Sequence, residues 1–225
     1  MQPVRIANVL SPQEAAGIVA KLEQASWEDG ALTAAGATKA VKRNHQLDRE
    51  NPLAQELAAQ VQRKLTRTEL FQQLTQPRSM TPPLFARYGP GEGYGSHLDA
   101  PVMRGPRGIV RTDLALTLFL VCPESYQGGE LSIGNDHAAL RIKGQPGELV
   151  VYPASSLHSV EPVTAGIRYV AVAWLQSLVR DAEKRLLLFD LHRTIGSLEA
   201  EGAASPQLGT LRRIHYALLR EWVET

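Results

Sequence analysis

Apolar residues recur at two different periods along this chain. Near the N-terminus the period is helical. Ser11-Pro12-Gln13-Glu14 is a capping-box pattern with proline at the first helical position, and Ala15, Ile18, Val19 and Leu22 follow at helical spacing until Trp27-Glu28-Asp29-Gly30. Asn51-Pro52 opens a second helix with Leu53, Leu57, Val61 and Leu65 on one stripe. Leu70, Phe71 and Leu74 predict a further short one. Gly30–Asp48 is polar and without clear period, which predicts a loop or short hairpin. Residues 1–77 are therefore expected to form an N-terminal helical flank.

From about residue 80 the period shortens. Leu84–Tyr88, Thr112–Val121, Glu130–Ile133, Ala138–Ile142, Glu148–Tyr152, His158–Pro162 and Ile167–Leu175 read as strands. Gly89-Pro90-Gly91, Gly128-Gly129, Pro146-Gly147 and Thr164-Ala165-Gly166 punctuate them. Short strands with short connections favour an antiparallel sandwich or jelly-roll barrel, because parallel strands need long crossovers. Residues 177–225 return to helical spacing. Leu178, Ala182, Arg185, Leu186, Phe189 and Leu191 fit one amphipathic element, and Leu211, Ile214, Leu218, Leu219 and Trp222 fit another beyond Gly202–Pro206. The expected architecture is α+β: a jelly-roll core at 78–178, the helical flank at 1–77, and a C-terminal helical extension at 179–225 packed on the core.

Composition narrows the function classes. The 225 residues are 44% hydrophobic and 21% charged, with net charge +1. That balance suits a globular protein and gives no concentrated basic surface for phosphate neutralisation, so no nucleic-acid partner is expected. The apolar runs fall far below the roughly 20 residues of a membrane span. A single cysteine, Cys122, allows no intrachain disulfide, and no secretory signal is visible. A cytoplasmic protein is expected. Cys122, on an apolar stretch, is expected in the core rather than as a nucleophile.

The candidate chemistry lies in the β region. In extended chain, His97 and Asp99 point the same way with Leu98 opposite, so an imidazole and a carboxylate can share one metal ion. Alone, this pair is equally a surface His and Asp at a loop mouth. His158 would complete two histidines and a carboxylate, the facial triad of non-haem Fe(II) oxygenases, which leaves three adjacent positions open. Arg168 is the fourth piece. If His158–Val163 and Ile167–Leu175 form a hairpin closed by Thr164-Ala165-Gly166, His158 opposes Val172 and shares a sheet face with Arg168. A planar guanidinium there suits the far carboxylate of a chelating diacid.

These residues also carry a family resemblance. Arg87-Tyr88-Gly89-Pro90-Gly91-Glu92-Gly93-Tyr94-Gly95-Ser96-His97-Leu98-Asp99 resembles the iron-binding segment of prolyl- and lysyl-hydroxylase-type Fe(II)/2-oxoglutarate dioxygenases. Thr117-Leu118-Phe119-Leu120, Gly128-Gly129-Glu130-Leu131, Leu157-His158-Ser159-Val160 and Gly166-Ile167-Arg168 resemble its later segments. Val41-Lys42-Arg43-Asn44-His45-Gln46, Thr81-Pro82-Pro83-Leu84-Phe85 and Leu218-Leu219-Arg220-Glu221-Trp222 resemble a narrower bacterial group, the PKHD-type hydroxylases linked to iron uptake.

The resemblance implies a double-stranded β-helix that binds Fe(II) through His97, Asp99 and His158 and 2-oxoglutarate through Arg168, with Tyr88 donating to the same carboxylate. It implies hydroxylation of a small-molecule or peptide substrate with release of succinate and CO2, and L-ascorbate as a reductant. Phe119 departs from the tyrosine that many prolyl hydroxylases carry at this strand position, and a phenyl ring cannot make a phenol's hydrogen bond.

Asn44 and Gln46, in a polar segment able to fold over the barrel mouth, are candidate substrate contacts. His45, His137, His192 and His215 are expected on the surface or on helix faces, and Asp136-His137 lacks a third metal partner at strand spacing. The C-terminal leucine stripes point to packing, including a homo-oligomer interface. Two other functions use the same residues: a zinc-dependent hydrolase on the His/Asp/His set, which would not need Arg168, and a non-catalytic jelly-roll binding module.

Overall fold

The computed structural model describes residues 1–33, 38–105, 108–135, 138–202 and 206–224. In chain order, β1 (Val4–Ile6) and α1 (Pro12–Glu23) lead to β2 (Glu28–Asp29), a one-turn α2 (Thr38–Val41), β3 (Lys42–Arg43) and β4 (His45–Gln46). Helices α3 (Pro52–Arg67) and α4 (Glu69–Thr75) follow. The β region runs through β5 (Pro77–Met80), β6 (Leu84–Tyr88), β7 (Gly93–His97), β8 (Val102–Gly105), β9 (Gly108–Arg111), β10 (Leu114–Phe119) and β11 (Tyr126–Gly128). It continues with β12 (Leu131–Ile133), β13 (Leu140–Ile142), β14 (Leu149–Pro153), β15 (His158–Val160), β16 (Val163–Gly166) and β17 (Arg168–Ser177). Helices α5 (Ala182–Ala200) and α6 (Pro206–Trp222) close the chain.

Among the described residues, two antiparallel sheets form the jelly-roll. The major sheet has the order β1-β14-β10-β17-β6-β4-β2, with β5 also on β17; the minor sheet has the order β13-β12-β15-β7-β3. Alternation along the major strands explains their composition. Leu114, Leu116 and Leu118 of β10, and Tyr169, Ala171, Ala173 and Leu175 of β17, face the larger core, which also holds Leu57, Val61 and Leu65 of α3. Ala115 and Phe119 of β10 and Val170 of β17 face the other way, into a second core shared with Leu131, Ile133 and Val160 of the minor sheet. Both faces of β10 are therefore buried, and its sequence reads as an unbroken apolar run.

The helices form where their caps are placed. At α1 the Ser11 hydroxyl accepts from the Glu14 backbone N–H and the Glu14 carboxylate accepts from Ser11, closing the expected capping box. At α5 the Asp181 carboxylate accepts from the backbone of Glu183 and Lys184. Phe189 of α5 joins the larger core.

Four expectations change. The N-terminal region is not purely helical: β1, β2 and β4 extend the major sheet and β3 the minor one, because open sheet edges gain partners there. The hairpin between 158–163 and 167–175 does not form. His158 pairs with Ile133 and His97 in the minor sheet, while Val172 pairs with Thr117 and Leu84 in the major one. The chain instead crosses from sheet to sheet through β16, which pairs with β11. On α6 the buried residues are Leu208 and His215, and Ile214 is exposed, since only a narrow strip meets α5. Cys122 is exposed beside Glu124 rather than in the core, because β10 ends at Phe119 and a turn follows.

Candidate functional site

Three side chains meet at one mouth of the barrel. His97 ends β7 and His158 begins β15, and the two are directly paired across the minor sheet. Farther along, Val160 pairs with Tyr94, so two steps on one strand match three on the other. This bulge at Gly95-Ser96 turns Tyr94 and His97 to the same face despite their odd spacing, and their rings stack at 3.6 Å. The His97 and His158 rings lie 4.2 Å apart. Asp99 follows just beyond β7, its Oδ2 3.8 Å from His158 Nε2. One ligand atom from each of the three residues lies within 4.8 Å of the others.

The local hydrogen bonds orient this set. His97 Nδ1 donates to the Gly95 carbonyl at 2.8 Å, and His158 Nδ1 donates to the Ser156 carbonyl at 2.9 Å. A carbonyl can only accept, so each ring carries a proton on Nδ1, which leaves Nε2 as the ligating nitrogen, as in metal-binding histidines. Asp99 Oδ2 is buried with no hydrogen-bond partner. Burial, with His158 adding to it, holds the His97 imidazole neutral down to about 4. Burial raises the Asp99 carboxyl, against the opposing pull of His158 and of the Trp174 indole on the cavity wall. Two imidazoles anchored through Nδ1 and a desolvated carboxylate whose Oδ2 lacks a hydrogen bond fit a divalent cation, which supplies the missing charge.

Arg168 stands on the facing wall. It opens β17 directly opposite Tyr88 on β6 and is 1% exposed. Its guanidinium lies 5.0 Å from the Tyr88 ring and 5.4 Å from the Phe119 ring. Arg168 Nε and Nη1 and the Tyr126 hydroxyl are all buried without a partner. Burial raises the Tyr126 phenol while the nearby Arg168 opposes it. Gly129, at φ +68°, leaves the space: a Cβ there would lie 3.0 Å from the Tyr126 ring and 3.1 Å from Arg168 Cδ. A buried arginine without a counter-ion and a phenol without an acceptor form a carboxylate seat.

A cavity of about 360 Å³ joins the two walls; His97, Asp99, His158, Tyr88, Arg168 and Gln46 all line it. Asn44 does not line the cavity. It lies 3% exposed behind the lining, beside Tyr88, whose hydroxyl its amide approaches. Gln46 accepts from the Thr33 hydroxyl at 2.5 Å.

Residues 83–176 match the model of the 2OG-Fe(II) oxygenase superfamily. A PKHD-type hydroxylase of Klebsiella pneumoniae is 46% identical over 97% of this chain and 98% of its own length. The PKHD-type hydroxylase YbiX of Escherichia coli is 43% identical over 97% of this chain and 98% of its own. The chain belongs to the PKHD-type hydroxylases. A PKHD-type hydroxylase with this superfamily's domain is a 2-oxoglutarate-dependent dioxygenase. Solved structures agree in fold. A Pseudomonas putida prolyl-4-hydroxylase is 19% identical with TM-score 0.53, covering 78% of this chain and 92% of that one. A Trichoplax adhaerens prolyl hydroxylase, bound to a hypoxia inducible factor peptide, is 19% identical with TM-score 0.55, covering 82% and 86%.

This PKHD-type hydroxylase also places residues at the site that its sequence did not single out. Tyr126 reaches Arg168 from a glycine-flanked three-residue strand whose pattern gives no period. Lys42 lines the cavity at 8% exposure and donates to the Thr33 hydroxyl at 2.7 Å. Burial, then Arg49, lowers its ammonium to about 8, with Asp29 and Asp99 opposing. The other histidines stay outside. His45 lies 2.9 Å from Glu92, and His192 faces a buried His215 across α5 and α6. Asp136 and His137 lie outside the described residues.

Proposed function

We propose that this enzyme hydroxylates a C–H bond of a primary substrate while converting 2-oxoglutarate to succinate and CO2. The supporting observation is the pairing of a buried Arg168 without a counter-ion with the His97, Asp99 and His158 set lining the same cavity. A zinc hydrolase would use the second and has no need of the first.

His97, Asp99 and His158 would hold Fe(II), the first two through β7 and its extension and the third through β15. Bound iron supplies oxygen activation coupled to oxidative decarboxylation of the cosubstrate. Arg168 holds the far carboxylate, with Tyr88 of the cavity lining donating to it and Tyr126 beside the guanidinium. The apolar wall from Leu131, Val160 and Val172 keeps water from the reacting end. Ascorbate restores iron oxidised in turnovers that lack the primary substrate. The reading extends to a cytoplasmic protein with a place in iron uptake or iron homeostasis, supported by the resemblance of the flanks to that group. Among the described residues no helix is long and apolar enough to cross a membrane.

The test is succinate formation from 2-oxoglutarate in the iron-loaded protein. Wild type forms succinate slowly even without primary substrate and only with oxygen. Asp99→Ala abolishes this and greatly weakens iron binding. Zinc-loaded protein that is active without oxygen, or Asp99→Ala that retains iron and turnover, would overturn the reading.

A further inference from the structure

The cavity holds more positive charge than its iron and cosubstrate would consume. Its lining carries three cations, Lys42, Arg49 and Arg168, and one carboxylate, Asp99. Resting on the dioxygenase reading, the two charges of Fe(II) meet the two carboxylates of 2-oxoglutarate, and Arg168 balances Asp99. Lys42 and Arg49 remain. Among the described residues neither forms an ion pair with a carboxylate. Lys42 is nine-tenths buried, and its polar contact is the neutral Thr33 hydroxyl, with the Tyr94 ring 5.4 Å away. Buried charges are ordinarily paired, because an ion moved out of water without a counter-ion loses its solvation.

Position matters as much as charge. Lys42 of β3 pairs with Tyr94 of β7, three residues from His97. Three strand residues span roughly 10 Å. Lys42 is therefore about one small-molecule length from the metal set. Arg49 stands at the solvent edge of the same cavity. The same lining holds apolar and aromatic side chains, among them Leu84, Tyr94, Leu98, Met103 and Trp174.

We infer that Lys42 and Arg49 form the primary-substrate subsite, and that the substrate is an organic oxyanion with an apolar or aromatic body. Its carboxylate or phosphate occupies the cations, and its body lies across Tyr94 and Trp174 toward the metal. The subsite is separate from the cosubstrate seat at Arg168.

The test is charge-selective binding to the whole protein, loaded with Fe(II) and saturated with 2-oxoglutarate under anoxia. Benzoate, phenyl phosphate, benzyl alcohol and benzylamine are titrated by calorimetry and by tryptophan fluorescence. At least one of the two anions is expected to bind about tenfold or more tighter than the alcohol, the effect of one charge-assisted hydrogen bond, and the amine weakest. Comparing benzoate with phenyl phosphate decides between carboxylate and phosphate. Lys42→Met and Arg49→Gln should each remove most of the anion preference and leave benzyl alcohol within about twofold, and Lys42→Arg should restore it. A purely structural Lys42 would weaken both classes of probe alike. Anions bound no better than the alcohol in wild type would overturn the inference. A preference that survives both substitutions, as metal coordination of benzoate would, also overturns it. The titration needs no turnover, so absent succinate formation would count against the dioxygenase reading alone.

Discussion

His97 and His158 reach the metal position with the same device, an Nδ1–H tied to a carbonyl two residues earlier. The device is local, and His97 and Asp99 could be read as a same-face pair from spacing, whereas His158 was legible only as the third member that completes the set. Tyr126 could not. Its hydroxyl reaches Arg168 only because Gly129 lets the turn pass close, and a turn between sheets leaves no period in the sequence. Phe119 carries no phenol, and Tyr126 places an unpartnered one beside Arg168 from another strand. Arg168→Ala should therefore raise the apparent KM for 2-oxoglutarate by roughly ten- to hundredfold with iron content unchanged, the effect of losing charged hydrogen bonds. Arg168→Lys should lose less than Ala because the charge stays and only the planar fork goes. Tyr126→Phe should raise the same KM several-fold. Steady-state kinetics with metal analysis checks all three, and an unchanged KM in Tyr126→Phe would remove it from the seat.

At the scale of elements, strands with an apolar pattern were legible even when short, as at Leu131–Ile133, Leu140–Ile142 and His158–Val160, and strands without one were not. Leu84–Tyr88 matches the expected span, and β10, β14 and β17 match within a few residues. β7 was missed because Gly93-Tyr94-Gly95-Ser96 lacks the apolar alternation of a strand; pairing with β15 and β3 overrides that weak propensity. The C-terminal helices were found, and of the expected α6 stripe Leu211, Leu218, Leu219 and Trp222 are half-buried while Ile214 is exposed. α5 is the element with structural weight. It packs on α4 and inserts Leu188 and Phe189, at 0% and 4% exposure. Arg185, 1% exposed, donates to the Val179 carbonyl at 2.6 Å. A chain ending at residue 178 should accordingly aggregate or lose cooperative unfolding, because large core truncations of Phe or Leu alone cost about 2–5 kcal/mol each. Size-exclusion chromatography and thermal melts check this. A soluble 1–178 fragment with a wild-type melt would show that the barrel stands without α5.

For the whole molecule, the metal set makes stability depend on pH. His97 stays neutral in the folded protein down to about 4, whereas an exposed imidazole takes up its proton near 6.5. Between those values the unfolded chain binds more protons than the folded one. Its contribution to stability is thus complete above pH 6.5 and is lost as pH falls toward 4, by at most about 1.4 kcal/mol per pH unit for one group. In chelator-treated protein the urea midpoint should fall between pH 7 and pH 5, and His97→Asn should flatten that fall. A fall from pH 7 to pH 5 as large in His97→Asn as in wild type would contradict the buried, neutral imidazole, since the raised Asp99 carboxyl opposes the fall in both proteins. The α+β jelly-roll was legible because its two-faced major sheet writes long apolar runs into the chain. The crossing between sheets was not, since Thr164-Ala165-Gly166 is equally good as a hairpin turn, and only tertiary packing decides where β17 goes.

The two halves of the cavity differ in how they are built. The metal and cosubstrate half hangs on the β7, β15 and β17 ladders, whose backs are committed to neighbouring strands and core. The other half is bordered by β3 and β4, two residues each, and by the single turn of α2. Side-chain changes in residues 38–49 that keep the backbone pairing of β3 with β7 and of β4 with β6 alter what the mouth admits while the ladders that hold the metal set and Arg168 stay in register. One oxidative apparatus can thus be passed between lineages unchanged while its clientele is rewritten in about a dozen positions.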